Sequence, residues 1–222
     1  MIDNVETALM SESDVCGIAW ALNPMWSKCR GMVMVPATEK HVDEAIASAA
    51  IAAGKAITEC NDRGVSAQAA VSSDIGQWAA AMWANKGEEF PPTLPAVVTP
   101  LSVVVDGRVT ASFQIDLQQD FSRQAWWDVW LTLAETVDVT LTRWTRPLES
   151  RDGVRAGGML TVADNSVEEV MLIADELIRS VSPEVRLRVR RMRGRQVIGR
   201  ITSALIGIAP WAPQRKTLDC EL

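Results

Sequence analysis

Hydrophobic and polar residues alternate most clearly between residues 101 and 117. Every second residue is apolar on both sides of Asp106-Gly107, and such a pair suits a tight turn in which both central residues have positive φ. The pattern therefore predicts a β-hairpin. Alternation of the same kind predicts further strands over residues 137–142, 159–163 and 185–190.

Other segments show the 3.6-residue spacing of apolar residues that is typical of amphipathic helices. This spacing predicts helices over residues 38–61, 74–85, 122–136 and 167–181. Ser166 and Glu169 form the S-x-x-E pattern of a capping box, which fixes the start of the last of these helices. Residues 196–206 fit either a returning strand or a short helix.

Two successive strand–strand–helix units predict the fold class. We expect an α+β fold in which about five or six antiparallel strands form a sheet with two amphipathic helices packed on one face. The expected segments are a helical N-terminal part over residues 1–90, an α+β sheet domain over residues 97–208 and an irregular tail over residues 209–222. Prolines in residues 90–95 mark the boundary, because proline removes a backbone donor.

Composition excludes several classes of protein. The 222 residues are 48% hydrophobic and 23% charged, which is unlike a disordered chain. Apolar runs stay well short of the roughly 20 residues that a membrane span needs, and the acidic N-terminal residues do not fit a secretory signal. We therefore expect a cytoplasmic protein or a virion component, with no membrane association.

Cysteine and histidine usage argues against a metal site. The chain has four cysteines, no C-x-x-C pair and one histidine, whereas structural zinc needs several such ligands at short spacing. We expect no metal and no cofactor. Reduced thiols fit an intracellular protein, and a Cys16–Cys29 disulfide remains the alternative for an oxidising setting.

No catalytic constellation is recognisable. The single histidine, His41, falls in the first turn of a predicted helix beside acidic residues, where it lacks the arrangement of a nucleophile–base pair. Motifs of the common hydrolases, nucleotide-binding proteins and metalloproteases are missing from the sequence. These observations favour a protein that is not an enzyme, although they exclude only the well-marked enzyme classes.

Arginines are concentrated near the C-terminal end. Residues 186–200 contain seven arginines and no acidic residue, while the whole chain has a net charge of −6. Residues 184–222 hold nine basic and three acidic side chains, for a charge of +6, and residues 1–183 carry −12. The candidate binding residues in this region are Arg186, Arg188, Arg190, Arg191, Arg193 and Arg195.

Tryptophan supplies a further candidate. The chain has nine tryptophans and no tyrosine, and Trp126, Trp127 and Trp130 share one predicted helix. Because their spacing covers about two faces of that helix, we expect Trp126 and Trp130 to pack on the sheet and Trp127 to lie at an edge or interface.

The sequence leaves several functions open. We expect a non-enzymatic protein that self-associates or binds a protein partner, for example a structural subunit of a viral or phage particle. One alternative is a nucleic-acid-binding module that uses the arginine-rich strand to contact phosphates. Another is a small-molecule enzyme without a recognisable motif, and the arginines could also be solvated or matched within their own sheet.

Overall fold

A computed structural model describes most of the chain between residues 15 and 205. The described residues are 15–23, 29–35, 42–64, 66–70, 97–105, 107–117, 130, 137–147, 154–203 and 205. Several predicted features lie outside these residues: the helix over 74–85, the proline-rich boundary, Trp127, His41 and the tail over 209–222. The helix predicted over 122–136 also lies outside them, except for Trp130.

Strands and helices are numbered here in chain order. The strands are β1 Gly17–Leu22, β2 Arg30–Met34, β3 Val97–Val98, β4 Val103–Val105, β5 Arg108–Leu117, β6 Val139–Pro147, β7 Val154–Asp164 and β8 Val189–Arg191. The helices are α1 Val42–Asp62, α2 Val167–Ser180, α3 Pro183–Arg186 and α4 Gln196–Ser203.

All eight strands of the described residues belong to one antiparallel sheet. Its order is β2-β1-β6-β7-β5-β4-β3, and β8 also pairs with β5. Strands β4 and β8 follow one another along β5, since β4 pairs with residues 108–110 and β8 with residues 113–115. The fold is therefore α+β, as the sequence predicts.

The sheet has more strands than predicted because the N-terminal part contributes β1 and β2. Strand β1 pairs with β6, with Ile18 opposite Thr145. Its sequence, GIAWAL, lacks alternation because residues on both sides of the strand are covered: Ile18, Ala19 and Ala21 are all fully buried. A strand buried on both faces is a continuous apolar run, which the period-of-two pattern cannot detect.

Local signals give the expected structures at two places. Val105 lies opposite Arg108 across the predicted hairpin turn, and Gly107 has a φ of 74°. At the start of α2, the backbone N–H of Glu169 donates to Ser166 Oγ at 3.1 Å, and Ser166 Oγ donates to Glu169 Oε2 at 3.0 Å. The capping box is confirmed.

The strand predicted over residues 185–190 is wrong in its first half. Residues Pro183–Arg186 form the short helix α3, and only Val189–Arg191 pair as a strand. Proline is favoured in the first turn of a helix, and Ser182 Oγ accepts a hydrogen bond from the backbone N–H of Val185. These capping preferences outweigh the alternation of valine, leucine and arginine.

One face of the sheet forms the main core. Helix α2 packs there through Val170, Ala174 and Leu177, against strand residues that include Leu141 and Leu160. Trp130 is completely buried in the same cluster, as predicted for its packing on the sheet, and its indole N–H donates to the Leu177 carbonyl oxygen at 2.6 Å.

The opposite face of the sheet meets α4 through polar side chains. Ser112 and Thr161 Oγ atoms lie 3.0 Å apart, and Thr161 Oγ1 contacts Ser203 Oγ. Gly199 brings the helix backbone close to Ser112, because a Cβ at this position would lie 2.5 Å from Ser112 Cβ. Residues 196–206 thus include a short helix, one of the two predicted alternatives, and it docks on hydroxyl groups.

Candidate protein-binding surface

Seven arginines extend from α3 through β8 to α4, and all of them except Arg200 are predicted binding residues. Arg186, Arg191 and Arg200 are among those that make contacts within the fold. The others include exposed side chains on β8 and on the turn that follows it.

Arg186 stabilises the end of α2. Its Nη2 donates to the carbonyl oxygens of Arg179, at 2.8 Å, and Val181, at 3.3 Å. The last carbonyls of a helix lack partners inside the helix and carry partial negative charge, so a cation there is favourable. This contact also fixes α3 against the end of α2.

Arg191 packs at the edge of β5. Its guanidinium lies 5.8 Å from the centre of the Phe113 ring, and Nη2 donates to the Leu101 carbonyl oxygen at 3.3 Å. Burial lowers the pKa of Arg191, nearby Arg193 lowers it further, and Asp175 of α2 opposes the shift. Asp175 of α2 therefore lies near Arg191.

Arg200 belongs to α4 and is almost completely buried. Its Nη1 donates to Thr110 Oγ1 at 2.9 Å. Burial, with a smaller effect of Arg108, lowers the pKa of Arg200 to about 10. Arg108 itself forms an ion pair with Asp138. Arg200 is thus a structural residue that a partner cannot reach.

The arginine-rich segment also carries an exposed leucine. Arg190, Arg193 and Arg195 are exposed, Arg188 is half-buried, and Leu187 is 82% exposed. We call Leu187, Arg188, Arg190, Arg193 and Arg195 the basic surface. Within the described part of the chain, no carboxylate forms an ion pair with Arg190 or Arg193.

A glycine turn holds this surface in place. Gly194 has a φ of 68°, a left-handed conformation that favours glycine, and its N–H donates to the Pro100 carbonyl oxygen at 2.8 Å. The turn between β8 and α4 is therefore tied to the loop before β4. Sequence reasoning missed Leu187, although its position between two arginines could have indicated an exposed residue.

The described residues also bear on metal binding, disulfide formation and membrane insertion. They contain no group of three His, Cys, Asp or Glu side chains that could hold a metal ion. Cys16, Cys29 and Cys60 are free thiols, so Cys16 and Cys29 are not paired here. Helices long and apolar enough to cross a bilayer are not found among these residues.

Comparison with protein-family models, curated proteins and solved structures finds no match.

Proposed function

We propose that this protein is a non-enzymatic, self-associating binding protein whose basic surface contacts an acidic protein surface. The observation that carries the proposal is the exposure of Arg190, Arg193 and Leu187 within one short segment of the chain. Such a protein could serve as a structural subunit of a larger assembly, such as a viral or phage particle.

The mixed chemistry of the basic surface favours a protein partner. Arginine is enriched at protein interfaces because its guanidinium binds carboxylates and also packs against apolar groups. Leu187 would gain free energy by burial against an apolar residue of the partner. A second copy is a suitable partner because residues 1–183 of the chain carry a charge of −12.

Nucleic acid is the second candidate partner, because exposed arginines also bind phosphates. The negative charge of the remaining chain disfavours it, since long-range repulsion slows association with a polyanion. An exposed apolar residue such as Leu187 contributes little to phosphate binding.

Charge reversal tests the proposed function. We expect Arg190→Glu/Arg193→Glu to raise the dissociation constant of self-association at least about tenfold, because rim charges set electrostatic complementarity. The wild-type protein should also dissociate on going from about 0.1 M to about 1 M salt, which shortens the Debye length from about 10 Å to about 3 Å. Size-exclusion chromatography with light scattering measures both effects.

The matched control is Lys55→Glu/Arg63→Glu, which makes the same change in net charge at exposed positions of α1 and the turn after it. It should associate like the wild type. A wild-type protein that is monomeric at micromolar concentration in low salt would overturn the proposal. If such a monomer bound a single-stranded oligonucleotide in a salt-sensitive manner, and Arg190→Glu/Arg193→Glu abolished that binding, the nucleic-acid alternative would replace it.

A further inference from the structure

The outward face of α2 carries an exposed leucine ringed by carboxylates. Leu172 is 70% exposed. Four exposed carboxylates lie near it in the sequence. Glu168 and Glu169 come four and three residues before Leu172, and Asp175 and Glu176 come three and four residues after it. On a helix these are the positions that neighbour residue 172 on the surface. We call these five residues the acidic surface.

Leu172 lies on the side of α2 opposite to its core contacts. Val170, Ala174 and Leu177 point into the core, and a residue two positions after Val170 falls on the other side of a helix with 3.6 residues per turn. Leu172 is not among the α2 residues that pack against the core. The helix dipole favours the acidic residues at the N-terminal end of α2. It does not account for Asp175 and Glu176, because they lie beyond the first turn.

The acidic and basic surfaces carry opposite charge. Each includes one leucine that is at least 70% exposed, together with exposed charged side chains. Arg186 fastens α3 to the end of α2, so the two surfaces occupy fixed neighbouring places on the molecule. Because both leucines are exposed, neither covers the other within one chain.

We propose that the acidic surface around Leu172 binds the basic surface around Leu187 of a second copy of this chain. The inference rests on the proposed function and deepens it by naming the partner surface. Opposite charges bring the copies together and set their orientation, and the two leucines are buried against each other in the contact. Each chain supplies both halves of the interaction.

Reversal of the acidic surface is the first arm of the test. Leu172→Arg/Glu176→Arg removes the central apolar residue and reverses a charge, while the capping box at Ser166 and Glu169 stays intact. We expect the dissociation constant of self-association to rise at least about tenfold, as for Arg190→Glu/Arg193→Glu. Far-UV circular dichroism checks that each variant is folded, and Leu172→Gln alone provides a milder variant with the same expected direction.

Mixing the two variants is the second arm. The Arg190→Glu/Arg193→Glu chain keeps an intact acidic surface, and the Leu172→Arg/Glu176→Arg chain keeps an intact basic surface. We expect each to be monomeric alone and an equimolar mixture to associate, as measured by light scattering. The Lys55→Glu/Arg63→Glu control keeps both surfaces, so it should self-associate without either of the other variants.

The outcomes separate this inference from the proposed function. If basic-surface reversal dissociates the protein while acidic-surface reversal and Leu172→Gln leave its mass unchanged, the proposed function stands and this inference is overturned. A mixture that stays monomeric also overturns it. A wild-type protein that is monomeric in low salt overturns both.

Discussion

Gly157 and Trp144 form a cross-strand pair at the centre of the sheet. They lie directly opposite each other on β7 and β6, and the Trp144 indole lies where a side chain at residue 157 would be, so that a Cβ there would overlap ring atoms. Trp144 is only 3% exposed and has little room to move. The glycine is therefore required by the neighbouring side chain rather than by its own backbone conformation.

We expect Gly157→Ala to lower the free energy of unfolding by about 1–3 kcal/mol, because overpacking forces the indole or a strand to shift. Urea denaturation measures the change. The matched control is Gly54→Ala in α1, where an added Cβ meets no atom within 4 Å; it should stabilise the protein by about 0.5–1 kcal/mol, since alanine is the better helix former. Equal effects at the two positions would contradict this reading of Gly157.

At the scale of single residues, sequence shows identity but not environment. Arg186, Arg190 and Arg200 look alike in the sequence, yet one caps a helix, one is exposed and one is buried. The basic cluster itself could be predicted from the sequence. Which arginines a partner can reach depends on α3 and α4, which the alternation of residues did not reveal.

At the scale of elements, α4 completes the edge of β5. Between the residues that pair with β4 and those that pair with β8, no strand residue lies opposite Ser112, although its carbonyl oxygen accepts from the Met192 N–H at 3.1 Å. The side-chain amide of Gln196 completes the pairing: Ser112 N–H donates to Oε1 at 2.7 Å, and Nε2 donates to the carbonyl oxygens of Met192 at 2.9 Å and Ser112 at 3.3 Å. A buried amide thus replaces part of a missing strand.

Gln196→Leu should lower the free energy of unfolding by about 1–3 kcal/mol, because it leaves the buried backbone N–H of Ser112 without its partner. We also expect faster hydrogen exchange at the amides of α4. Gln114→Leu is the matched control, since that half-buried side chain has no hydrogen bond within the described residues; its effect should stay within about 0.5 kcal/mol. Similar losses for both variants would show that Gln196 has no special role.

Elements defined by short-range signals were the ones that sequence could predict. The Asp106-Gly107 hairpin and the Ser166–Glu169 capping box each depend on residues only a few positions apart. Strands β1 and β2 could not be predicted because their stability comes from pairing with β6, far along the chain. Tertiary contacts of this kind leave no local pattern.

At the scale of the whole molecule, the N-terminal strands belong to the same sheet as the rest. The sequence-based division into residues 1–90 and 97–208 places β1 and β6 in different segments, yet five residues of β1 face β6. Ile18 and Ala19 are completely buried by this arrangement. Cooperative unfolding of both segments is the physical consequence.

A fragment of residues 97–222 tests whether the two segments unfold as one cooperative unit. Without β1 and β2, the backbone groups on one side of β6 lose their partners and apolar residues such as Leu141 lose part of their cover. We expect the fragment to lack a cooperative thermal transition or to aggregate, as exposed strand edges do. Circular dichroism and light scattering would compare it with the full chain, and a fragment that unfolds cooperatively at the same temperature would contradict the expectation.

Because Ile18 pairs with Thr145, β1 can complete its pairing only after β6 has been synthesised. Strand β1 emerges from the ribosome long before β6, so the two-stranded ribbon of β1 and β2 exists for a time without its neighbour. A lone ribbon of this kind is marginally stable in water. Until translation has passed residue 145, the nascent chain therefore exposes Ile18 and Trp20, and the growing polypeptide is most vulnerable to misassembly during that interval.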